Sequence, residues 1–191
     1  MLKSVELEKF RCFEKMKFHI RDISVVVGKN NAGKSTITEA LRIISMAAIK
    51  CKQTTYTNPP QSIGLGLSEK GFRLQVERMK IDLRSVVYYY ESDIAKITAN
   101  FDNKTKIIIY LNSNVAFACV YDKNNNLVKS KRKAQELDIP SICILPQIGL
   151  IKENEKKLSE ITVLDSVNSY LSSRHFRNEI LLFNLNYSYN F

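Results

Sequence analysis

The octapeptide Gly28-Lys29-Asn30-Asn31-Ala32-Gly33-Lys34-Ser35 satisfies G-x-x-x-x-G-K-[ST] at every fixed position, and its flanks are as restrictive as the motif itself. Before it, residues 23–27 are an apolar run broken only by Ser24 and otherwise all β-branched, the composition of a strand covered on both faces. After it, Ile37, Leu41, Ile44 and Ala48 recur at helical spacing, and Ala40 and Ala47 add propensity. The expectation is strand, loop and helix in that order. Glycines let such a loop turn its N–H groups inward at a phosphate, while the helix beginning near Lys34 aims its positive dipole at the same charge. Lys34 offers a mobile cation to the β- and γ-phosphates of ATP, and Ser35 offers a hydroxyl to Mg2+. Gly28, Asn30, Asn31, Ala32, Gly33, Lys34, Ser35 and Thr36 are the candidate nucleotide-binding residues, with ATP and Mg2+ as the expected cofactors.

The rest of the chain divides into β-rich and helical parts. Residues 2–10 have the β-branched and aromatic content of a strand, and a second short strand is expected at 16–20. Residues 50–70 dissolve into Thr, Asn, Gln, Gly and a Pro pair, which reads as a long surface loop. From 71 to 130 the pattern is an antiparallel meander with strands at 72–79, 85–90, 94–101, 106–111 and 115–121. Asp102-Asn103-Lys104, Asn112-Ser113-Asn114 and residues 122–126 supply its turns. Residues 142–145 read as a short buried strand stopped by Pro146. Val163, Val167, Tyr170, Leu171, Phe176, Ile180 and Phe183 then suggest one long helix within 160–183.

Composition bounds the partners. No apolar run approaches the ~20 residues of a membrane span, so a soluble, cytoplasmic protein is expected. Cys12, Cys51, Cys119 and Cys143 are scattered without C-x-x-C, which gives no support to zinc or a disulfide framework. The formal net charge of +10 favours polyanions such as DNA, but only residues 129–133 form a dense basic cluster. A solvated basic face explains that cluster equally well.

Leu7-Glu8-Lys9-Phe10-Arg11-Cys12-Phe13, followed by a short strand and by Val27 with the loop through Thr36, resembles the opening of SMC and RecF-type ABC ATPases. Within them it most resembles the AAA/OLD-like ATPases of bacterial and phage-defence systems, the Septu type included. There an L-x-x-F-[RK]-x-F pattern precedes a G-x-N-x-[AS]-G-K-[ST] loop, and Asn30 and Asn31 fall accordingly. A second similarity runs through Ile144-Leu145-Pro146-Gln147-Ile148-Gly149, Asn154-Glu155 and Ser173-Arg174-His175-Phe176-Arg177-Asn178, near the family's Q-loop. The resemblance implies an α/β P-loop fold of the ABC/SMC lobe I type, with a central sheet carrying the loop, an antiparallel β-subdomain and C-terminal helices. It implies Gln147 as a catalytic amide beside Mg2+ or the attacking water, although a polar residue in a Pro-bounded turn is the alternative. It also implies Arg11 near the phosphates, against a plain surface arginine. Phe10 and Phe13 read as hairpin-packing residues.

An ABC-type site further needs an apolar strand ending in Asp-Glu and an LSGG-like signature loop. Neither is found. Residues 115–122 end in Asp122, but Lys123 stands where the glutamate belongs, and 161–165 end in Asp165 inside an apparent helix. The family places both elements in a second lobe, so the chain is expected to be an N-terminal lobe that pairs with a second lobe or as a homodimer, and that acts on DNA or with a nuclease. Two rivals stay open: a non-catalytic nucleotide-responsive binding module, and a basic nucleic-acid-binding domain with a vestigial P-loop.

Overall fold

A computed structural model of the chain describes residues 1–79, 81–90, 94–140, 142, 144, 157–159 and 178. Contacts divide the chain into two compact units: Met1–Glu77 with Asp82–Ile142, and Arg78–Ile81 with Cys143–Phe191. The expected strand at 142–145, Gln147 and the C-terminal helix fall almost entirely outside the described residues. Within the second unit, the Leu158 amide donates to Asn178 Oδ1 at 2.8 Å.

The first unit is built on one sheet. Its strands are β1 (Leu2–Phe10), β2 (Phe13–His19), β3 (Phe72–Leu74), β4 (Ala95–Phe101), β5 (Lys106–Leu111) and β6 (Ala116–Tyr121). They lie in the order β2-β1-β4-β5-β6-β3, and every neighbouring pair is antiparallel. The expected division into a central sheet and a separate β-subdomain is thereby corrected: β1 pairs with β4 along Val5↔Ala99 and Leu7↔Ile97, and the meander simply extends the N-terminal hairpin.

Register explains why the sheet is stable. Leu7, Ile97, Ile109, Ala118 and Phe72 stand opposite one another across five strands, and Val5, Ala99, Ile107 and Val120 form a second such row. All nine side chains are wholly buried, so each of these five strands lends one face to a continuous apolar layer. Helix α1 (Lys34–Lys50) packs against β3, β4 and β5, burying Ile37, Ala40, Ile43, Ile44, Ala47 and Ala48. The opposite face is split. Over β5 and β6 it is apolar, where Ile63 of the 50–70 loop packs with Val115, Phe117 and Cys119. Over β1, β2 and β4 it carries the Glu6–Lys17 and Glu8–Lys96 pairs, at 2.8 and 3.0 Å. Gly71 is required by closeness: a Cβ there would collide with the Ala118 carbonyl oxygen of β6.

Three expected strands are corrected. Only residues 72–74 of the expected 72–79 pair in the sheet, and Val76–Met79 is a 3-10 turn. The expected strand at 85–90 is instead the 3-10 turns Leu83–Ser85 and Tyr88–Tyr90. Asp82 explains the first of these, because its carboxylate accepts the Arg84 amide at 3.0 Å and captures a backbone group that a ladder would need. The third correction concerns residues 23–27. They join no strand, and Ile23, Val25, Val26 and Val27 are 86%, 79%, 52% and 84% exposed. Their β-branched composition suits a covered strand, but no described strand hydrogen-bonds along them.

The turns follow the sequence. Asp122 accepts the amides of Asn124 and Asn126 at 2.9 and 2.8 Å, and Asn125 adopts φ 61°. Asp122 is therefore the organiser of the β6 exit turn, as an Asx residue should be. The basic cluster forms the exposed helix α2 (Lys131–Gln135), capped by Ser130, whose hydroxyl accepts the Lys133 amide. Lys129, Lys131, Arg132 and Lys133 are all exposed. Among the described residues no helix is long and apolar enough to cross a membrane.

Candidate nucleotide-binding site

The loop between residue 27 and α1 turns tightly. The Ala32 amide donates to the Lys29 carbonyl at 3.2 Å, Asn31 takes φ 65° and Gly33 takes φ 88°. Gly33 is the N-cap of α1, so the helix starts without a side-chain cap, and no acid lies in its first turn. The opening N–H groups of α1 thus keep their positive end unneutralised, which is the electrostatic requirement for an anion. A basic residue, Lys50, occupies the last turn and complements the other end of the dipole.

Lys34 folds back over the loop. Its ammonium donates to the carbonyls of Gly28 and Lys29 at 2.6 and 2.7 Å. These contacts hold the cation at the mouth of the turn formed by 28–33, where it can exchange a carbonyl for a phosphate oxygen at little cost. The side chains of Asn30, Asn31, Ala32 and Ser35 are exposed, whereas Gly33 and Thr36 are buried. Thr36 faces away from the loop's mouth, since its hydroxyl accepts a hydrogen bond from the Cys12 thiol at 3.6 Å.

The tip of the β1–β2 hairpin lies beneath this loop. A Cβ built on Gly33 would overlap Cζ of Phe13 and stand 3.1 Å from Cys12 Sγ. Arg11 is engaged elsewhere: its guanidinium pairs with Glu39 of α1 at 2.5 Å and with the Ser85 hydroxyl at 3.0 Å. Its amide donates to the Val86 carbonyl at 2.8 Å, and Phe10 bridges Val87 next to it. Lys9 and Arg11 both have positive φ, 52° and 51°, a conformation that costs non-glycine residues of order 1 kcal/mol or more and persists only where surroundings enforce it. Glu39 and Ser85 carried no signal in the sequence, because their roles come from contacts 28 and 74 residues away from Arg11. Phe10 is wholly buried and the Phe13 ring packs at the hairpin tip, in keeping with their reading as hairpin-packing residues.

These features suit a nucleotide with its metal. The uncapped helix start and Lys34 would hold the phosphates, and the free hydroxyl of Ser35 would face Mg2+, which would supply charge neutralisation to the β- and γ-oxygens. A family model described as an AAA ATPase domain matches residues 1–188. The chain belongs to this family. No curated protein matches it. At this level membership agrees with the resemblance to AAA/SMC-like ATPases, and nucleotide binding is the activity that an ATPase domain of this family implies.

Proposed function

We propose that the ATPase domain is the ATP-binding lobe of an SMC/OLD-like machine that acts on DNA in repair or anti-phage defence. Its turnover depends on a Walker B carboxylate and a signature loop from a facing lobe. The observation that carries the reading is the loop at the uncapped start of α1, with the Lys34 ammonium resting on the carbonyls of Gly28 and Lys29. Asp122, the described carboxylate that the sequence brings to notice, is occupied in organising a turn, and Glu39 of α1 pairs with Arg11. Phosphate transfer to water needs a base to accept a proton, and losing that assistance typically costs a factor of about 10² to 10⁴. Gln147, which lies outside the described residues, brings an amide that accepts no proton at neutral pH.

The test is steady-state phosphate release by the purified chain, with Lys34→Ala as the contamination control. Binding of MgATP with at most trace release is expected. Sustained release that Lys34→Ala abolishes overturns the dependence on a facing lobe. The exposed lysines of residues 129–133 favour DNA phosphates over base edges, so binding should be independent of sequence and steeply salt-sensitive. Replacing Lys129, Lys131, Arg132 and Lys133 together should flatten the salt slope, and an unaltered slope returns the cluster to a solvated face.

A further inference from the structure

The geometry points to Phe13 as the residue that positions the phosphate loop. This inference rests on the nucleotide-binding reading of that loop and adds the part that holds it in shape. A loop of this kind is usefully rigid only if something fixes both of its ends. On the entry side no described strand or core contact does so: residues 23–27 form no strand and are largely exposed, and only the Lys34 ammonium reaches back to the carbonyls of Gly28 and Lys29. The exit side is different. There Gly33 is buried, carries φ 88°, and starts the helix.

What buries Gly33 is the tip of the β1–β2 hairpin. The Phe13 ring fills the space a Cβ would take, with Cys12 Sγ beside it. The tip is itself clamped from two directions. Arg11 ties it to α1 through Glu39 and to the 82–87 segment through Ser85 and the Val86 carbonyl, and the Cys12 thiol donates to Thr36 in the first turn of α1. The left-handed backbone at Lys9 and Arg11 shows that the hairpin is held in an uncommon shape at this spot. Phe13 brings an apolar ring against Gly33 and no group that could bind phosphate, so it is a positioning residue. Removing its ring leaves Gly33 a wider choice of backbone conformations, and the cost falls on every ligand that uses the loop's N–H groups.

Calorimetric titration of the folded protein with MgATP and MgADP tests this. Phe13→Ala should weaken both nucleotides about tenfold, equivalent to ~1.4 kcal/mol. The ATP-to-ADP affinity ratio should stay at the wild-type value, because the lost support lies under the loop and not at the γ-phosphate. Phe13→Leu, which restores most of the volume, should recover affinity to within about threefold. A double-mutant cycle adds a readout that general destabilisation cannot mimic: Gly33→Ala should be less damaging to affinity beside Phe13→Ala than in the wild type. Should Phe13→Ala fail to fold, the same cycle is run with Phe13→Val. Wild-type affinity in the truncated variant, or strict additivity in the cycle, overturns the assignment of Phe13 alone. Absence of MgATP binding by the wild-type protein overturns the nucleotide reading itself, and the buttress with it.

Discussion

Residues 106–111 and residues 23–27 are written in the same alphabet. The first holds Ile107, Ile108 and Ile109, the second Ile23, Val25, Val26 and Val27. The first became β5, with Ile107 and Ile109 wholly buried between β4 and β6, and the second remained outside every ladder with its side chains in solvent. Composition therefore states only that a segment would do well as a covered strand. Whether it is covered depends on two neighbours, and β5 finds them through turns of four residues at 102–105 and 112–115. Residues 23–27 have β2 before them and a loop after them, and among the described residues no hairpin returns the chain alongside.

The largest effect is expected where that difference is greatest. Ile109→Ala removes a side chain from the centre of the row formed by Leu7, Ile97, Ala118 and Phe72, and should cost about 2 to 5 kcal/mol in urea unfolding. A loss below ~1 kcal/mol would break the contrast from the covered side. Next comes Lys34→Ala, which tests whether a loop entered from an exposed segment still grips phosphate. Loss of a charge-assisted contact of about 1.5 to 3 kcal/mol should lower MgATP affinity roughly tenfold to over a hundredfold by calorimetry. Equal affinity in a folded variant would remove Lys34 from the site.

A smaller effect sharpens the contrast from the other side. Val25→Ala should change unfolding stability by no more than about 0.5 kcal/mol, since the side chain is 79% exposed. A cost comparable to that of Ile109→Ala would mean that residues 23–27 are covered in solution. The smallest effect belongs to the polar face of β1. The Lys17 ammonium, hydrogen-bonded to Glu6, holds that carboxyl below the usual glutamate range. The stabilisation is then fully present above the usual range and is lost as pH falls through the lowered folded value. Thermal melts between about pH 6 and pH 3 should show a slightly shallower decline in Glu6→Gln than in the wild type.

The same contrast explains what could be read from sequence. Alternation and turn chemistry are local, so β1, β4, β5, β6 and the turn at Asp122 were legible to within a residue or two, as was α1 from the spacing of Ile37, Leu41, Ile44 and Ala48. The octapeptide at 28–35 stands out as a motif because its residues are contiguous, and the structure places a tight turn there at the start of α1. Pairing partners are not local, which is why the exposure of residues 23–27 and the merging of two expected β units into one sheet could not be read. The 85–90 stretch was misread for a nearer reason: Asp82 captures the Arg84 amide, and aromatic content at Tyr88 and Tyr89 mimics strand propensity. Arg11 shows the same limit within the site, because its residue type suggested phosphate and its position gave it Glu39 and Ser85.

The bare start of α1 also bears on how the protein withstands heat and dilution. Gly33 leaves the opening amides without a side-chain acceptor, and a capping serine or aspartate cannot take its place, because a Cβ there would overlap the Phe13 ring and the backbone holds φ 88°. An anion that binds those amides stabilises the folded state by an amount that grows with the logarithm of its concentration relative to the dissociation constant. Saturation to a hundred times the dissociation constant adds about 2.7 kcal/mol to the unfolding free energy. The melting temperature of this chain would thus serve as a gauge of nucleotide concentration, and the abundance of the protein would follow the supply of its ligand.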